Sequence, residues 1–179
     1  MEDDTIGNQQ ATDFEIGWLA GIYDGEGYIG FSRQWTKRGN SIRTDIQLVN
    51  CDPDVILKTK KILNMIGINP YVRERIHDKS KWSRNYFLQF SRFSHIKKFI
   101  DTVGHLLTGE KRKRAELMIK LVNSRIPKTR GDRYSADELA MVDEYFTMMK
   151  NVKIRGNTHN LVSLNDYHPN ARMKCLAKV

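Results

Sequence analysis

An α+β fold built from helices and antiparallel hairpins is what this sequence predicts, and three observations predict it. Apolar residues recur with helical period in stretches around 14–23, 53–66, 94–103 and 111–122. Other stretches alternate apolar with polar residues, 28–35 answered by 42–49 and 71–76 answered by 85–90, each pair joined by a polar tip. The elements follow the order helix, hairpin, helix, hairpin, helix, which suits antiparallel strands packed with helices in one layered domain.

Residues 1 to 11 read as a disordered lead-in, 12–150 as a single domain and 151–179 as a basic C-terminal tail. The first helix covers Phe14 to Tyr23, with Thr12 as N-cap and Glu15 three residues on, the spacing of a capping box. Gly25, Glu26 and Gly27 stop it, because glycine is costly inside a helix and easy in a turn. In the strand after it, Ile29, Phe31 and Trp35 face one way and Gly30, Ser32 and Gln34 the other. Residues 36–41 make the hairpin tip. The return strand sets Ile42, Thr44, Ile46 and Leu48 against Arg43, Asp45 and Gln47.

Asp52, with Pro53 at the first helical position, opens a second helix that Gly67 ends. In the second hairpin Tyr71, Arg73 and Arg75 share a face, and Asn85, Phe87 and Gln89 oppose Tyr86, Leu88 and Phe90. Ser94 then starts a helix with the apolar stripe Ile96, Phe99, Ile100 and Val103. Thr108-Gly109 breaks the chain before a stretch, 108–133, in which nine Lys/Arg stand against three acids. Leu117, Met118, Leu121 and Val122 show that part of it is a packed helix. Its basic end, Lys111 to Arg114, reads either as a phosphate-contacting surface or as a solvated helical face. Ser135 and Glu138 repeat the capping-box spacing, with Leu139, Val142, Phe146 and Met149 as the stripe of a last helix. Residues 151–179 lack periodicity and read either as a tail that touches a polyanion or as poorly ordered chain.

Composition narrows the partner rather than the activity. The net charge is +9 and the sequence pI about 9.6, a balance that points to a polyanion. Two cysteines, Cys51 and Cys175, give neither a metal spacing nor a disulfide framework, which suits a reducing compartment. No apolar run approaches membrane-spanning length, and the acidic, polar N-terminus is unlike a signal peptide. The expectation is a soluble intracellular protein of the cytoplasm, nucleoid or an organelle matrix, not secreted and without a membrane partner.

The end of the first helix carries the chemistry. Asp24 and Glu26 sit where the last helix carbonyls lack partners and the dipole is negative. A hard divalent cation such as Mg²⁺ would relieve both, held by carboxylate, carbonyl and water. A glycine-capped helix with a solvated acid is the plainer alternative. Upstream, Gly17, Ala20, Gly21 and Asp24 form a stripe of small residues that lets a second helix approach closely.

The run Leu19-Ala20-Gly21-Ile22-Tyr23-Asp24-Gly25-Glu26-Gly27 resembles the LAGLIDADG motif of homing endonucleases, and the resemblance in element order extends over roughly residues 13 to 125. It implies an αββαββα core whose saddle-shaped antiparallel sheet lies in the DNA major groove, with additional C-terminal helices here. One motif copy implies a homodimer joined through the Gly17/Ala20/Gly21/Asp24 helix face, and so a long, near-palindromic target. The implied activity is divalent-metal-dependent hydrolysis of one phosphodiester per strand, leaving short 3′ overhangs. Glu26 takes the family's acidic metal-ligand position, Gly25 offers a carbonyl as a further ligand, and Asp24 stabilises helix pair and turn.

Asn50 and Lys111 fall where the family places a solvent-ordering polar side chain and a charge-stabilising lysine. Asn50 also reads as a turn residue before the Asp52 cap, and Lys111 has Lys113 and several arginines beside it. The polar strand faces read either as an ordinary solvated sheet face or, for base contact, offer Ser32, Gln34, Arg43, Gln47, Arg73, Arg75, Asn85 and Gln89. Arginine suits guanine and glutamine adenine because those pairings are bidentate. Some members of the family bind the intron RNA that encodes them as maturases, and a non-cleaving DNA-binding regulator is a further reading. An HNH-like site on His159, Asn160 and His168 is the rival nuclease reading, on looser spacing.

Overall fold

The structure is a computed structural model that describes residues 10–36, 39–75, 84–128 and 132–151, without the side chains of 33–36, 39–41 and 149–151. Its elements are α1 (Asp13–Gly25), β1 (Gly27–Thr36), β2 (Gly39–Asn50), α2 (Pro53–Met65), β3 (Tyr71–Arg75), β4 (Asn85–Phe90), α3 (Phe93–Val103), a single 3₁₀ turn (Gly104–Leu106), α4 (Gly109–Arg125) and α5 (Ala136–Asn151). Contacts group the chain up to Phe146 into one compact unit, which holds the whole sheet. A second unit begins at Thr147, and only the close of α5 belongs to its described part. His159, Asn160 and His168 lie outside the described residues.

Local chemistry starts each helix where the sequence places it. Thr12 caps α1 through the Glu15 N–H, and Glu15 returns a bond from the Thr12 N–H at 2.8 Å, the reciprocal capping box. The Asp52 carboxylate caps α2 on the Asp54 N–H, and Gly67 takes a positive φ just beyond that helix. The helix α3 begins one residue before Ser94, with Arg92 at the cap position and no side-chain cap bond.

All strands are antiparallel and run β1-β2-β4-β3 across the sheet. Register makes two unlike faces. Ile29, Phe31, Ile46, Leu48, Leu88 and Phe90 are buried on one, under the helices. There α4 packs over β1, α2 over β2 and β4, and α1 against β1 and α3. Rings of Tyr23 and Phe90 meet Phe99 at 4.7 and 5.5 Å between centroids, tying α1 and β4 to α3.

Two expectations shift. The first hairpin is tighter than 36–41, because β1 continues to Thr36 and pairs there with Gly39. In α5 the buried stripe is Glu138, Val142 and Tyr145, while Leu139 is 46% exposed. The cause is electrostatic. Glu138 accepts from the Ser135 N–H and Ser124 hydroxyl and pairs with Lys128 and Arg125, so the helix turns its acid inward. Burial pushes that carboxyl up, and these donors outweigh it, holding the pKa at about 2. Tyr145 reaches the β1 edge, its ring 4.7 Å from Phe31 and its hydroxyl 3.5 Å from the Ile29 carbonyl.

Candidate functional site

The corner between α1 and β1 can be built only on glycine. A Cβ at Gly27 would lie 2.3 Å from the Tyr23 ring and 2.7 Å from the Tyr23 Cα, so a side chain there has no room. The chain therefore turns sharply after Glu26, whose N–H still bonds the Ile22 and Tyr23 carbonyls and whose side chain is exposed. Gly25, the last residue of α1, is exposed beside it.

Three elements converge on this corner. From the end of β2, the Asn50 amide donates to Glu26 Oε2. The Asn50 carbonyl oxygen accepts the Asp52 N–H at 2.7 Å, so the same side chain also closes the entry to α2. From the first turn of α4, the Lys111 ammonium donates to the Tyr23 carbonyl at 3.2 Å and to the Gly27 carbonyl. A cation thus occupies the negative end of the α1 dipole. Burial lowers the Lys111 pKa below its usual value and Arg114 adds to the effect, while Asp24 and Glu110 oppose it.

Asp24 does the joining. Both its oxygens accept the Thr108 N–H at 3.1 Å, and one takes the Thr108 hydroxyl at 2.8 Å. Thr108 is the cap residue of α4 yet makes no cap bond to that helix, because its hydroxyl is spent on Asp24. The carboxylate expected on the helix-pair face is thereby bound within its own chain. Ala20 is also turned inward, 5% exposed, whereas Gly17 and Gly21 are exposed and a Cβ at either would meet nothing within 4 Å.

The second half of the site is the other sheet face. Register puts Ser32, Gln34, Arg43, Gln47, Arg73, Arg75, Asn85 and Gln89 all on it, opposite the helices. The side chain of Gln34 lies outside the described ones. Asn50 falls on the helix-side parity of β2, which is why it reaches Glu26 and not this face. Between β2, β3 and β4 the face is concave, bounded by Arg43, Tyr71, Arg73, Gln89, Arg92 and His95. Burial lowers the His95 pKa, with Arg92 and Lys98 acting in the same direction.

Sequence reasoning missed an apolar step in this face, where exposed Val49 pairs with Phe87 and the Arg73 guanidinium lies 4.8 Å from the Phe87 ring. It also missed Tyr71, 64% exposed, although the alternation had put Tyr71 beside Arg73. A large exposed apolar group on a polar strand face was the available signal.

Among the described residues no three His, Cys, Asp or Glu side chains gather as a metal site, and no helix is long and apolar enough to cross a membrane.

A family model described as a LAGLIDADG-like domain matches residues 13–104. No curated protein matches in sequence. Solved structures do match in fold. One is the homing endonuclease I-CvuI, in complex with a DNA target in the presence of Mg, at 15% identity over 82% of this chain and 86% of that one, TM-score 0.58. Another is an archaeal intron-encoded homing endonuclease complexed with DNA, at 16% identity over 83% of this chain and 90% of that one, TM-score 0.60. A third is the homing endonuclease I-TnaI, at 20% identity over 81% and 91%, TM-score 0.56.

Proposed function

The chain belongs to the LAGLIDADG homing endonuclease family, and from that premise we propose that it is a homodimeric, site-specific endodeoxyribonuclease dependent on a divalent metal. The observation that carries the reading is the convergence of Glu26, Asn50 and Lys111 at the corner between α1 and β1. Related structures bound to DNA, one with Mg and one with Ca, support a duplex substrate and a divalent ion.

The donors present fit a hard cation. Glu26 is an exposed carboxylate at a negative helix end, Gly25 lies beside it, and every ligand they offer is oxygen. When bound, Mg²⁺ would activate a water and stabilise the leaving 3′ oxygen. Glu26 is the anchoring ligand and Gly25 offers its carbonyl. Asn50 holds the Glu26 carboxylate in one orientation, as outer-shell partners of metal ligands do. Lys111 brings positive charge to the scissile phosphate, and Asp24, through Thr108, fixes the start of the helix that carries it.

One chain offers one such corner. Two meet when the open Gly17/Gly21 face of α1 packs on its copy, which sets both Glu26 carboxylates near a twofold axis. One cut per strand at a near-palindromic site, with short 3′ overhangs, follows. The sheet face with Ser32, Gln34, Arg43, Gln47, Arg73, Arg75, Asn85 and Gln89 reads bases in the major groove. One of the similar solved structures is described as intron-encoded, which makes an intron the expected setting.

The test is cleavage of a pooled duplex library with and without Mg²⁺, comparing the native protein with Glu26→Gln. Metal-dependent cuts at a near-palindromic site, lost in Glu26→Gln while binding persists, are expected. Cutting that survives Glu26→Gln sinks the assignment of the metal ligand.

A further inference from the structure

The polar sheet face has an acid at its centre. Asp45 stands opposite Gly30 on the side that carries the base-reading residues, yet it is only 4% exposed. A single oxygen, Oδ1, accepts the Arg43 Nε–H at 2.8 Å from the same strand and a Gln89 amide N–H from the neighbouring one. An isolated carboxylate on a face meant for a polyanion is a liability, since it repels phosphate and costs desolvation. Burial does raise the Asp45 carboxyl from its ordinary value, against the opposing pull of Gln89 and Arg43.

What that arrangement leaves free is informative. Arg43 is held by Nε, so that contact leaves its two terminal nitrogens unspent on a side chain 41% exposed. Gln89 gives Asp45 one amide hydrogen and keeps its carbonyl oxygen and second hydrogen, the pair that reads adenine. Two flexible side chains are thus fixed before DNA arrives, with their bidentate edges unspent. Holding a reader in its bound rotamer removes ordering cost from binding and penalises bases that need a different rotamer.

We propose that Asp45 is a specificity-determining positioning residue, which sets Arg43 and Gln89 for base readout without itself contacting the bases. The proposal rests on the reading of this face as the DNA-reading one. It makes Asp45 worth more to discrimination than to affinity.

The experiment is selection from a randomised duplex pool in Ca²⁺, without cleavage, for the native protein, Asp45→Ala, Asp45→Asn, Arg43→Ala and Gln89→Ala, each checked for a cooperative thermal melt. Asp45→Ala is expected to lose about tenfold preference, the scale of one bidentate pair, at the positions that Arg43→Ala and Gln89→Ala also lose and nowhere else. Its affinity for mixed-sequence DNA should hold or rise. Asp45→Asn keeps the acceptor oxygen and should keep most of the preference. Preferences unchanged in Asp45→Ala, or weakened evenly at every position, would overturn the proposal while leaving the DNA reading intact. A native protein that enriches no sequence would overturn both.

Discussion

The Asn50 amide donates to the carboxylate of Glu26 across 24 residues of chain, and its carbonyl holds the first N–H of the approach to α2. One side chain therefore links the acid at the end of α1 to the end of β2 and the entry of α2. That bridge predicts a split between activity and folding. Asn50→Ala should lower cleavage or metal affinity about 10–100-fold, the usual cost of losing an outer-shell partner. Cleavage rates against Mg²⁺ concentration, with DNA binding measured in Ca²⁺, check it, and unaltered rates would remove Asn50 from the site.

Lys111 gives a pH dependence with a definite sign. Its pKa is lowered by burial and by Arg114, so its charge is lost at a pH below that of an ordinary lysine. Activity that needs this charge should fall on the alkaline side before the usual lysine range. Lys111→Arg, which stays charged, should lack that alkaline limb, whatever its absolute rate. Stability moves the other way: between the lowered value and 10.5 the unfolded chain binds more protons, so this group favours folding as pH rises. Paired pH–rate profiles decide the first point.

Glu138 governs the acid side. Its pKa of about 2, against 4.5 for an ordinary glutamate, means a contribution fully present above 4.5 and lost as pH falls toward 2. Thermal melts of the native protein should drop across that window. Glu138→Gln should melt lower at neutral pH and change less with acid. Parallel curves for the two proteins would place the acid sensitivity elsewhere.

Gly17 and Gly21 separate a lone chain from a pair. A Cβ at either meets nothing within its own chain, and alanine gains about 1 kcal/mol of helix propensity over glycine. Gly17→Ala and Gly21→Ala should therefore stabilise the single chain slightly. In a dimer packed through this face the same methyl groups keep the helices apart. Sedimentation over a range of concentrations should show weaker association despite sound folding. Unchanged association would move the dimer contact off these glycines.

Features that depend on near neighbours were legible in the sequence. The Thr12–Glu15 and Ser135–Glu138 boxes and the Asp52-Pro53 start follow from spacing alone, and strand alternation placed eight polar residues on one face. What escaped depends on distant partners. Alternation cannot tell that Asp45 is buried on a polar face, because its cover includes Gln89, 44 residues away. Nor does it show that Glu138 displaces Leu139 from the core, since its partners Arg125 and Lys128 lie 13 and 10 residues earlier in the chain. Asn50 and Lys111 were reached only by resemblance, for their meeting at α1 spans 24 and 84 residues.

The tyrosines along β1 bear on self-association of another kind. An outermost strand presents unpaired amides and carbonyls on which a foreign strand can template. On β1 the outward carbonyls of Ile29 and Phe31 already accept the hydroxyls of Tyr145 and Tyr28, with α4 lying against the strand. At the opposite margin the described part of β3 carries Arg73, Glu74 and Arg75. Tyrosine hydroxyls cover part of one margin and charge marks the other, and both features disfavour the addition of a foreign strand to an open sheet.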